Sequence, residues 1–233
     1  MKNKKLVLFS SGIDSTVCLA IAVSKYGSKN VIALCIDYGQ NNYIEIKKAK
    51  KIAEEYNVYF EVIDLKNIFK YSNSSMIKKS NKDIPYESYD DQYKKLKEGQ
   101  LVSTNVPFRN GVMLSVAASY ALEKNVDEIY YGIHREEGIA RSLYPDCSEG
   151  FDMAMNLAIY IGTGQKIKIN APLSALSKKD IIKLGIDLKV PFEDTWTCYE
   201  SDLKPCGKCT ACVDRIKAFK ENNLVDPLCY KEV

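Results

Sequence analysis

The chain has 233 residues, 46% of them hydrophobic and 27% charged, which is enough apolar material for one sizeable globular domain. Its 33 basic residues nearly balance its 30 acidic ones, so the net charge of +3 gives no support to nucleic-acid binding. The first apolar run, residues 6–9, is too short for a signal peptide, and no run approaches a membrane helix, so we expect a cytoplasmic protein.

Strands and helices are predicted to alternate along the first sixty residues. Apolar runs predict strands, and helical spacing of apolar residues predicts helices, in the order strand 5–9, helix 15–26, strand 31–36, helix 43–56 and strand 58–63. This alternation is typical of a parallel sheet covered by helices. Residues 64–104 then break the pattern, and because they are polar and too long for an ordinary connection, they predict an insertion or lid.

Regular patterning resumes after the insertion. It predicts a helix at 110–124, a strand at 128–132, a helix at 151–161, a strand at 166–170 and a helix at 178–184. The predicted fold class is therefore α/β, with a doubly wound parallel sheet.

A loop of small residues lies between the first predicted strand and the first predicted helix. It consists of Ser10, Ser11, Gly12, Ile13, Asp14 and Ser15. Small residues let backbone amides approach a phosphate, and the helix N-terminus adds partial positive charge. Asp14 could hold the Mg²⁺ that accompanies a nucleotide, although the alternative is that Asp14 or Ser15 simply caps the helix. No G-K-[ST] follows, so this is not a Walker loop.

Four of the eight cysteines lie close together near the C-terminus: Cys198, Cys206, Cys209 and Cys212. Two C-x-x-C steps that share Cys209 are typical of a zinc knuckle, and four thiolates complete a tetrahedron, so we expect one structural Zn²⁺. A redox role for Cys206 and Cys209 would leave the other two unexplained. Cys18 and Cys35 are expected in the core, and Cys229 is expected to be an exposed thiol of the tail.

The loop resembles the S-G-G-x-D-S loop of N-type ATP pyrophosphatases, with Ser11 where the first glycine usually stands, a change that we expect the loop to tolerate. Residues 194–199, with the C-G-x-C-x-x-C run and Arg215, resemble the C-terminus of the 7-cyano-7-deazaguanine synthases. Three further segments match that family, at residues 37–40, 109–110 and 144–147. The resemblance implies a nucleotide-binding domain over residues 1–190 and a zinc-binding element over residues 191–233.

The resemblance implies an ATP-dependent ligase of queuosine biosynthesis. Such an enzyme adenylates 7-carboxy-7-deazaguanine, adds ammonia to form the amide, and activates the amide again to form the nitrile, with release of AMP and pyrophosphate. A homodimer is expected. The implied nucleotide-binding residues are the loop with Tyr38 and Gln40, the implied catalytic residues are Asp14, Arg109 and Lys178, and the implied substrate-binding residues are Arg109, Asn110, Tyr144 and Asp146.

Several of these residues also have simpler interpretations. Lys178 could follow a plain helix cap at Ser177, and Arg109 could form a surface ion pair. Asp146 could cap the next helix instead of binding the guanine-like edge of the substrate. Tyr38 could stack on adenine or pack on the sheet. His134, the only histidine, has no visible acid or base partner and is not expected to be catalytic.

Two departures from the family pattern lie in the substrate half. Phe108 stands where a glycine is usual, and the loop at residues 133–143 is longer and more charged than expected. Either change could admit a nucleophile larger than ammonia. A second hypothesis is therefore an antiviral-defence paralogue that couples the deazaguanine to a protein amine. A third is a zinc-dependent binding module, which the mixed charge around the cysteines does not favour.

Overall fold

The computed structural model describes residues 4–78, 80–97, 99–134, 144–201 and 203–231. A parallel five-stranded sheet has the order β3-β2-β1-β4-β5, so successive strands are added outward from the central strand β1 in both directions. The predicted doubly wound class is confirmed. The strands are β1 (Lys4–Leu8), β2 (Val31–Asp37), β3 (Tyr59–Asp64), β4 (Val126–Tyr130) and β5 (Lys168–Asn170).

Helices cover both faces of the sheet. They are α1 (Ile13–Tyr26), α2 (Ile44–Glu55), α3 (Lys66–Phe69), α4 (Tyr89–Lys95), α5 (Arg109–Glu123), α6 (Glu149–Gly162), α7 (Lys178–Asp187) and α8 (Thr210–Glu221). One apolar cluster joins the sheet to α1, α2, α7 and α8, and a second joins its other face to α5 and α6. Within the described ranges, no helix combines the length and the apolar character that crossing a membrane requires.

The central strands are apolar on both faces because helices bury both faces. In β1, Val7 belongs to the first cluster and Leu6 to the second, so neighbouring side chains point to opposite sides of the sheet. All but the last residue of β2 is buried. Continuous apolar runs are the expected signature of such strands, which is why the sequence predicts them well.

The insertion at residues 64–104 is packed against the rest of the chain. Met76 and Ile77 lie in the second apolar cluster, and Ile77 forms an antiparallel bridge with Gln40. Further along, Gln92 of α4 donates to the hydroxyl of Thr210 at 2.8 Å. The insertion therefore connects the sheet edge to the cysteine-rich element, and a lid function stays a prediction.

Helix α8 was not predicted from the sequence. Cysteines and a buried arginine interrupt its apolar spacing, and the arginine is what fixes the helix in place. Arg215 forms an ion pair with Asp226 at 2.6 Å and donates to Thr195 Oγ1 at 2.6 Å and to the Phe192 carbonyl at 2.8 Å. A buried charge needs such partners. Because Phe219 of the same helix lies in the first apolar cluster, α8 shares a core with α1, and the division at residue 190 stays a prediction.

Candidate active site

A cavity of about 350 Å³ opens at the carboxyl ends of β1, β2 and β4. This is where open α/β sheets bind ligands, at the point where the strand order reverses. Of the residues predicted to bind the nucleotide or the substrate acid, all but Ser11 and Asp146 line this cavity. Those in the lining are Ser10, Gly12, Ile13, Asp14, Ser15, Tyr38, Gln40, Arg109, Asn110, Tyr144 and Lys178.

The first turn of α1 has no side-chain cap. Gly12 is the residue before the helix, and no side chain accepts from the amides of the first turn. The simple capping role suggested for Asp14 or Ser15 is therefore wrong. Ser15 Oγ instead accepts from the Ser10 amide and donates to the Gly12 carbonyl, both at 3.2 Å, which closes the loop on itself. The amide donors of this helix end are left available to an anion.

Ser11 stands in a backbone conformation that favours glycine. Its φ is 63°, in the left-handed region where a side chain costs roughly 1 kcal/mol or more. Two hydrogen bonds oppose this cost: the Ser11 carbonyl accepts from the Trp196 amide at 2.9 Å, and its hydroxyl donates to the Glu45 carbonyl at 3.0 Å. Ser11 is fully buried, so its part in the site is to hold the loop against α2 and Trp196.

Asp14 is paired with two basic side chains. Lys178 Nζ lies 2.7 Å from both carboxylate oxygens, and His134 Nδ1 lies 3.3 Å from Oδ2. Burial by itself would raise the pKa of Asp14, but Lys178 and His134 together hold that pKa below its ordinary value. The carboxylate is therefore ionised at neutral pH. The expectation that His134 has no acid or base partner is wrong, because the end of β4 brings it to the end of β1.

The N-terminus of α7 has both of the features considered for it. The Ser177 hydroxyl accepts from the Asp180 amide at 3.2 Å, and the Asp180 carboxylate accepts from the Ser177 amide at 3.3 Å, so a capping box begins the helix. The next residue, Lys178, extends into the cavity. Capping thus fixes the backbone from which the Lys178 side chain reaches Asp14.

Gly132 is a site residue that the sequence analysis did not identify. A Cβ atom there would lie 2.9 Å from Asp14 Cβ and 3.0 Å from the Ser15 amide nitrogen. Only glycine therefore allows the end of β4 to approach the first turn of α1 so closely. The signal in the sequence was a glycine directly after an apolar strand.

Arg109 begins α5 and faces into the cavity. Its Nη1 donates to the Tyr38 hydroxyl at 3.0 Å, and its guanidinium lies 5.1 Å from the centre of that ring. Among the described residues no carboxylate lies within 4 Å of it, so a surface ion pair is wrong. Tyr38 is buried and packs edge-on against Phe69, and its amide donates to Gln40 Oε1 at 3.0 Å. Arg109 therefore has donors left for an acidic ligand.

Asp146 is hydrogen-bonded to the start of α5. Its carboxylate accepts from the Asn110 amide at 2.8 Å, and its carbonyl accepts from the Asn110 side chain at 3.0 Å. The alternative in which Asp146 caps α6 is wrong, because Ser148 does so by accepting from the Phe151 amide at 3.2 Å. The short turn Pro145–Cys147 packs against the start of α5, and the Asp146 carboxylate is hydrogen-bonded there. A direct contact between Asp146 and a substrate therefore has no support from the geometry.

Three tyrosines from separate segments line the cavity together and form one wall of it. The Tyr89 and Tyr199 hydroxyls are 2.9 Å apart, and the Tyr144 hydroxyl donates to that of Tyr89 at 3.3 Å. Thr104 Oγ1 lies 2.6 Å from the Tyr144 hydroxyl. Burial raises the pKa of Tyr89 and of Tyr199, so this wall is neutral. Only Tyr144 was predicted, since nothing local marks the other two.

Glu45 also lines the cavity and was not predicted. It is the second residue of α2 and is half-buried. Burial raises the pKa of Glu45 to about 8, while Arg109 acts in the opposite direction. The environment of Glu45 therefore favours the neutral carboxyl group, whereas the environment of Asp14 favours the ionised carboxylate.

The structure describes the first of the two departures from the family pattern, Phe108, and only the beginning of the second, the loop at residues 133–143. Phe108 has a φ of 55° before α5, and its ring packs edge-on against Phe151 at 5.9 Å with 60% of the residue exposed. The ring is not in the cavity lining, so the geometry gives no support to a wider entrance, and an effect of Phe108 on access stays a prediction. Of the longer loop, residues 135–143 lie outside the described residues.

The cysteine cluster predicted from the sequence is present. Its four sulfur atoms lie within 4.8 Å of one another, and all four residues are buried: Cys198, Cys206, Cys209 and Cys212. Amides donate to two of the sulfurs, from Cys206 to Cys198 and from Cys209 to Cys206, each at 3.3 Å. This set fits a tetrahedral metal ion. Cys18 and Cys35 are buried and Cys229 is exposed, as predicted.

We predict that Gly132→Ala weakens ATP binding roughly 10- to 100-fold, because the added methyl group displaces the first turn of α1. Titration calorimetry with ATP measures the change. Gly150→Ala is the matched control, since nothing lies within 4 Å of a Cβ there, and it should bind ATP normally. Unchanged ATP affinity in Gly132→Ala would contradict a role for this close approach.

Comparison with known proteins finds relatives along the whole chain. The family model described as queuosine biosynthesis protein QueC matches residues 4–223. The chain is 37% identical to the 7-cyano-7-deazaguanine synthase of Thermoplasma volcanium, covering 100% of this chain and 92% of that protein. It is 34% identical to the 7-cyano-7-deazaguanine synthase of Psychromonas ingrahamii, covering 100% of both.

A solved structure supports the fold independently. The U34-tRNA thiolase NcsA of Methanococcus maripaludis matches with a TM-score of 0.51 and 18% sequence identity, over 95% of this chain and 68% of that one. At this identity the likeness concerns the fold alone. The family resemblance seen in the loop and the cysteine run is confirmed by the full-length matches, and the chain belongs to the QueC family.

Proposed function

We propose that this enzyme uses ATP to adenylate 7-carboxy-7-deazaguanine and then forms the amide and the nitrile with ammonia, releasing AMP and pyrophosphate. The observation that carries the proposal is that one cavity is lined both by the phosphate loop and by Arg109 with the tyrosine wall. ATP and an acid that bind in the same cavity would have the α-phosphate and the carboxylate close enough to react. Relatives named for this synthase support it along the whole chain.

The phosphate end of the cavity suits adenylation. A carboxylate is a poor electrophile, and attack by its oxygen on the α-phosphorus of ATP attaches AMP as a leaving group while pyrophosphate departs. The uncapped amides of α1 and the ammonium group of Lys178 would stabilise the negative charge that develops on the pyrophosphate. Tyr38 and Gln40 would form the adjoining wall of the nucleotide site.

Asp14 fits the Mg²⁺ that accompanies ATP, because its carboxylate is ionised and lies at the end of the phosphate loop. When bound, the ion screens phosphate charge. Lys178 and His134 supply the positive charge that the carboxylate needs in the free enzyme. Release of Lys178 from Asp14 would allow the lysine to contact phosphate oxygens.

The part of the cavity lining formed by Arg109 and the tyrosine wall suits a flat acidic heterocycle. Arg109 has donors left to pair the substrate carboxylate, whose two oxygens match its fork. Asn110 lies beside it, and the rings of Tyr89, Tyr144 and Tyr199 provide neutral aromatic surface for a purine-like base.

The test is to incubate the protein with ATP, Mg²⁺ and 7-carboxy-7-deazaguanine, with and without ammonium, and to identify the products by mass spectrometry. We expect AMP whenever the acid is present, and the nitrile only with ammonium. AMP without nitrile, or a deazaguanine-sized mass added to a protein, would favour the conjugating alternative. No observation on the cavity favours that alternative now, since Phe108 points away.

We predict that Asp14→Ala lowers acid-dependent AMP formation at least roughly a hundredfold without unfolding the protein, because the phosphate loop loses its metal-binding carboxylate. AMP release is measured by chromatography and folding by circular dichroism. Asp64→Ala, which removes an exposed carboxylate, should stay active. An active Asp14→Ala enzyme would contradict the assignment.

We further propose that the cysteine cluster holds one structural Zn²⁺. We predict that Cys209→Ser loses the metal and lowers the melting temperature, because one missing thiolate opens the tetrahedron. Elemental analysis and thermal unfolding measure both effects. Cys229→Ser removes an exposed thiol and should retain the metal. A metal-free Cys209→Ser protein of normal stability would show that the cluster is not a structural metal site.

A homodimer is proposed from the surface of α6. Met153, Leu157 and Ile161 lie one turn apart on the same face and are exposed by 66%, 59% and 63%. A contiguous apolar row of this kind suits burial against the same row of a second copy across a two-fold axis.

We predict that Leu157→Glu gives a monomer, because the isologous contact would place two carboxylates against each other. Light scattering coupled to size exclusion measures the mass. Leu203→Glu, at an isolated exposed leucine, is the control and should remain dimeric. A wild-type monomer at micromolar concentration would overturn the dimer.

A further inference from the structure

Glu45 is the one acid of the described cavity lining that lacks a protein partner for its carboxylate. Asp14 is paired with Lys178, and Asp214 also has a partner. Among the described residues, no hydrogen bond or ion pair reaches the Glu45 side chain. Its backbone carbonyl, in contrast, accepts from the Ser11 hydroxyl at 3.0 Å, which fixes the start of α2 against the phosphate loop.

The environment of Glu45 is that of a carboxylate that lacks a cation. Burial raises its pKa, and although Arg109 opposes this effect, the guanidinium is not within 4 Å. Arg109 is instead oriented by the Tyr38 hydroxyl. A cation that entered the cavity beside Glu45 would remove the cost of burying the carboxylate charge.

The cavity lining indicates which cation fits. Mg²⁺ requires several oxygen ligands in near-octahedral geometry. The lining that Glu45 shares includes the aromatic rings of Tyr38, Trp196 and Tyr199 and the apolar side chains of Leu34 and Ile36. One carboxylate without a protein partner, in a cavity that is also lined by aromatic rings, suits a small monovalent cation such as ammonium, which aromatic faces also attract.

We propose that the Glu45 carboxylate binds the ammonium ion that supplies the nitrogen nucleophile. The inference rests on the proposed function and assigns its amine subsite. Ammonium is the main form of ammonia at neutral pH but has no lone pair to attack with. It transfers one proton to Glu45, and the freed lone pair forms the C–N bond to the acyl carbon. The C–O bond to AMP then breaks, AMP leaves with the bonding electrons, and the second proton passes from nitrogen to water.

Glu45→Gln tests the subsite by removing the charge and keeping the shape. We expect the acid-dependent ATP–pyrophosphate exchange, measured without ammonium, to stay within about twofold of wild type. The KM for ammonium should rise about tenfold or more, because one charge-assisted contact to the ion is lost. Hydroxylamine, which is largely uncharged at neutral pH, should still give the hydroxamate at nearly the wild-type rate. Glu54→Gln, an exposed carboxylate on the same helix, is the matched control and should change neither.

Different results would overturn the proposal. An unchanged KM for ammonium would show that Glu45 does not bind the nucleophile. Equal losses of exchange, ammonium turnover and hydroxamate formation would indicate a structural role, and an increased Mg²⁺ requirement would indicate a metal ligand.

A direct binding measurement separates this inference from the proposed function. Crystals soaked in thallium(I), an anomalous scatterer close to ammonium in size, should show a peak at the Glu45 carboxylate in the wild type and none in Glu45→Gln. Absence of the wild-type peak would overturn the subsite. A thallium peak at Glu45 in a protein that shows no acid-dependent ATP–pyrophosphate exchange would contradict the adenylation of this acid. The cation subsite at Glu45 would still be supported.

Discussion

The close approach between the end of β4 and the first turn of α1 is the constraint on which the site depends. Gly132 allows it, and the same approach brings His134, two residues further along, against Asp14 at the edge of the cavity. Strand order reverses at β1, so the helices after β1 and before β4 lie on opposite faces of the sheet. The gap between them is where a ligand can reach backbone amides.

Two of the carboxylates that line this cavity are held in opposite electrostatic environments. Asp14 is paired with Lys178 and His134, which lower its pKa, whereas Glu45 is half-buried without a close cation and its pKa is raised to about 8. Groups whose environments separate their pKa values in this way commonly take different roles in one site. In the proposed reaction, Asp14 would serve the phosphates of ATP and Glu45 an incoming cation.

The cysteine-rich element shapes the cavity without supplying its chemistry. The Cys198 carbonyl accepts from the Trp196 indole at 3.2 Å and from the side chain of Asn42. The Trp196 amide in turn donates to the Ser11 carbonyl of the phosphate loop. The cysteine cluster and the loop are therefore joined by a short chain of hydrogen bonds, so a structural metal would stabilise one wall of the site.

The sequence by itself determined the alternating strands and helices, the loop of small residues before α1, the four-cysteine cluster and the family, because each depends on residues close together along the chain. Only the tertiary structure decided which distant side chains meet. It paired His134 with Asp14, directed Asp146 to α5, turned Phe108 outward and placed Glu45 and Tyr89 in the cavity. These contacts join segments far apart in sequence, and local patterning carries no information about which strand ends and loops become neighbours.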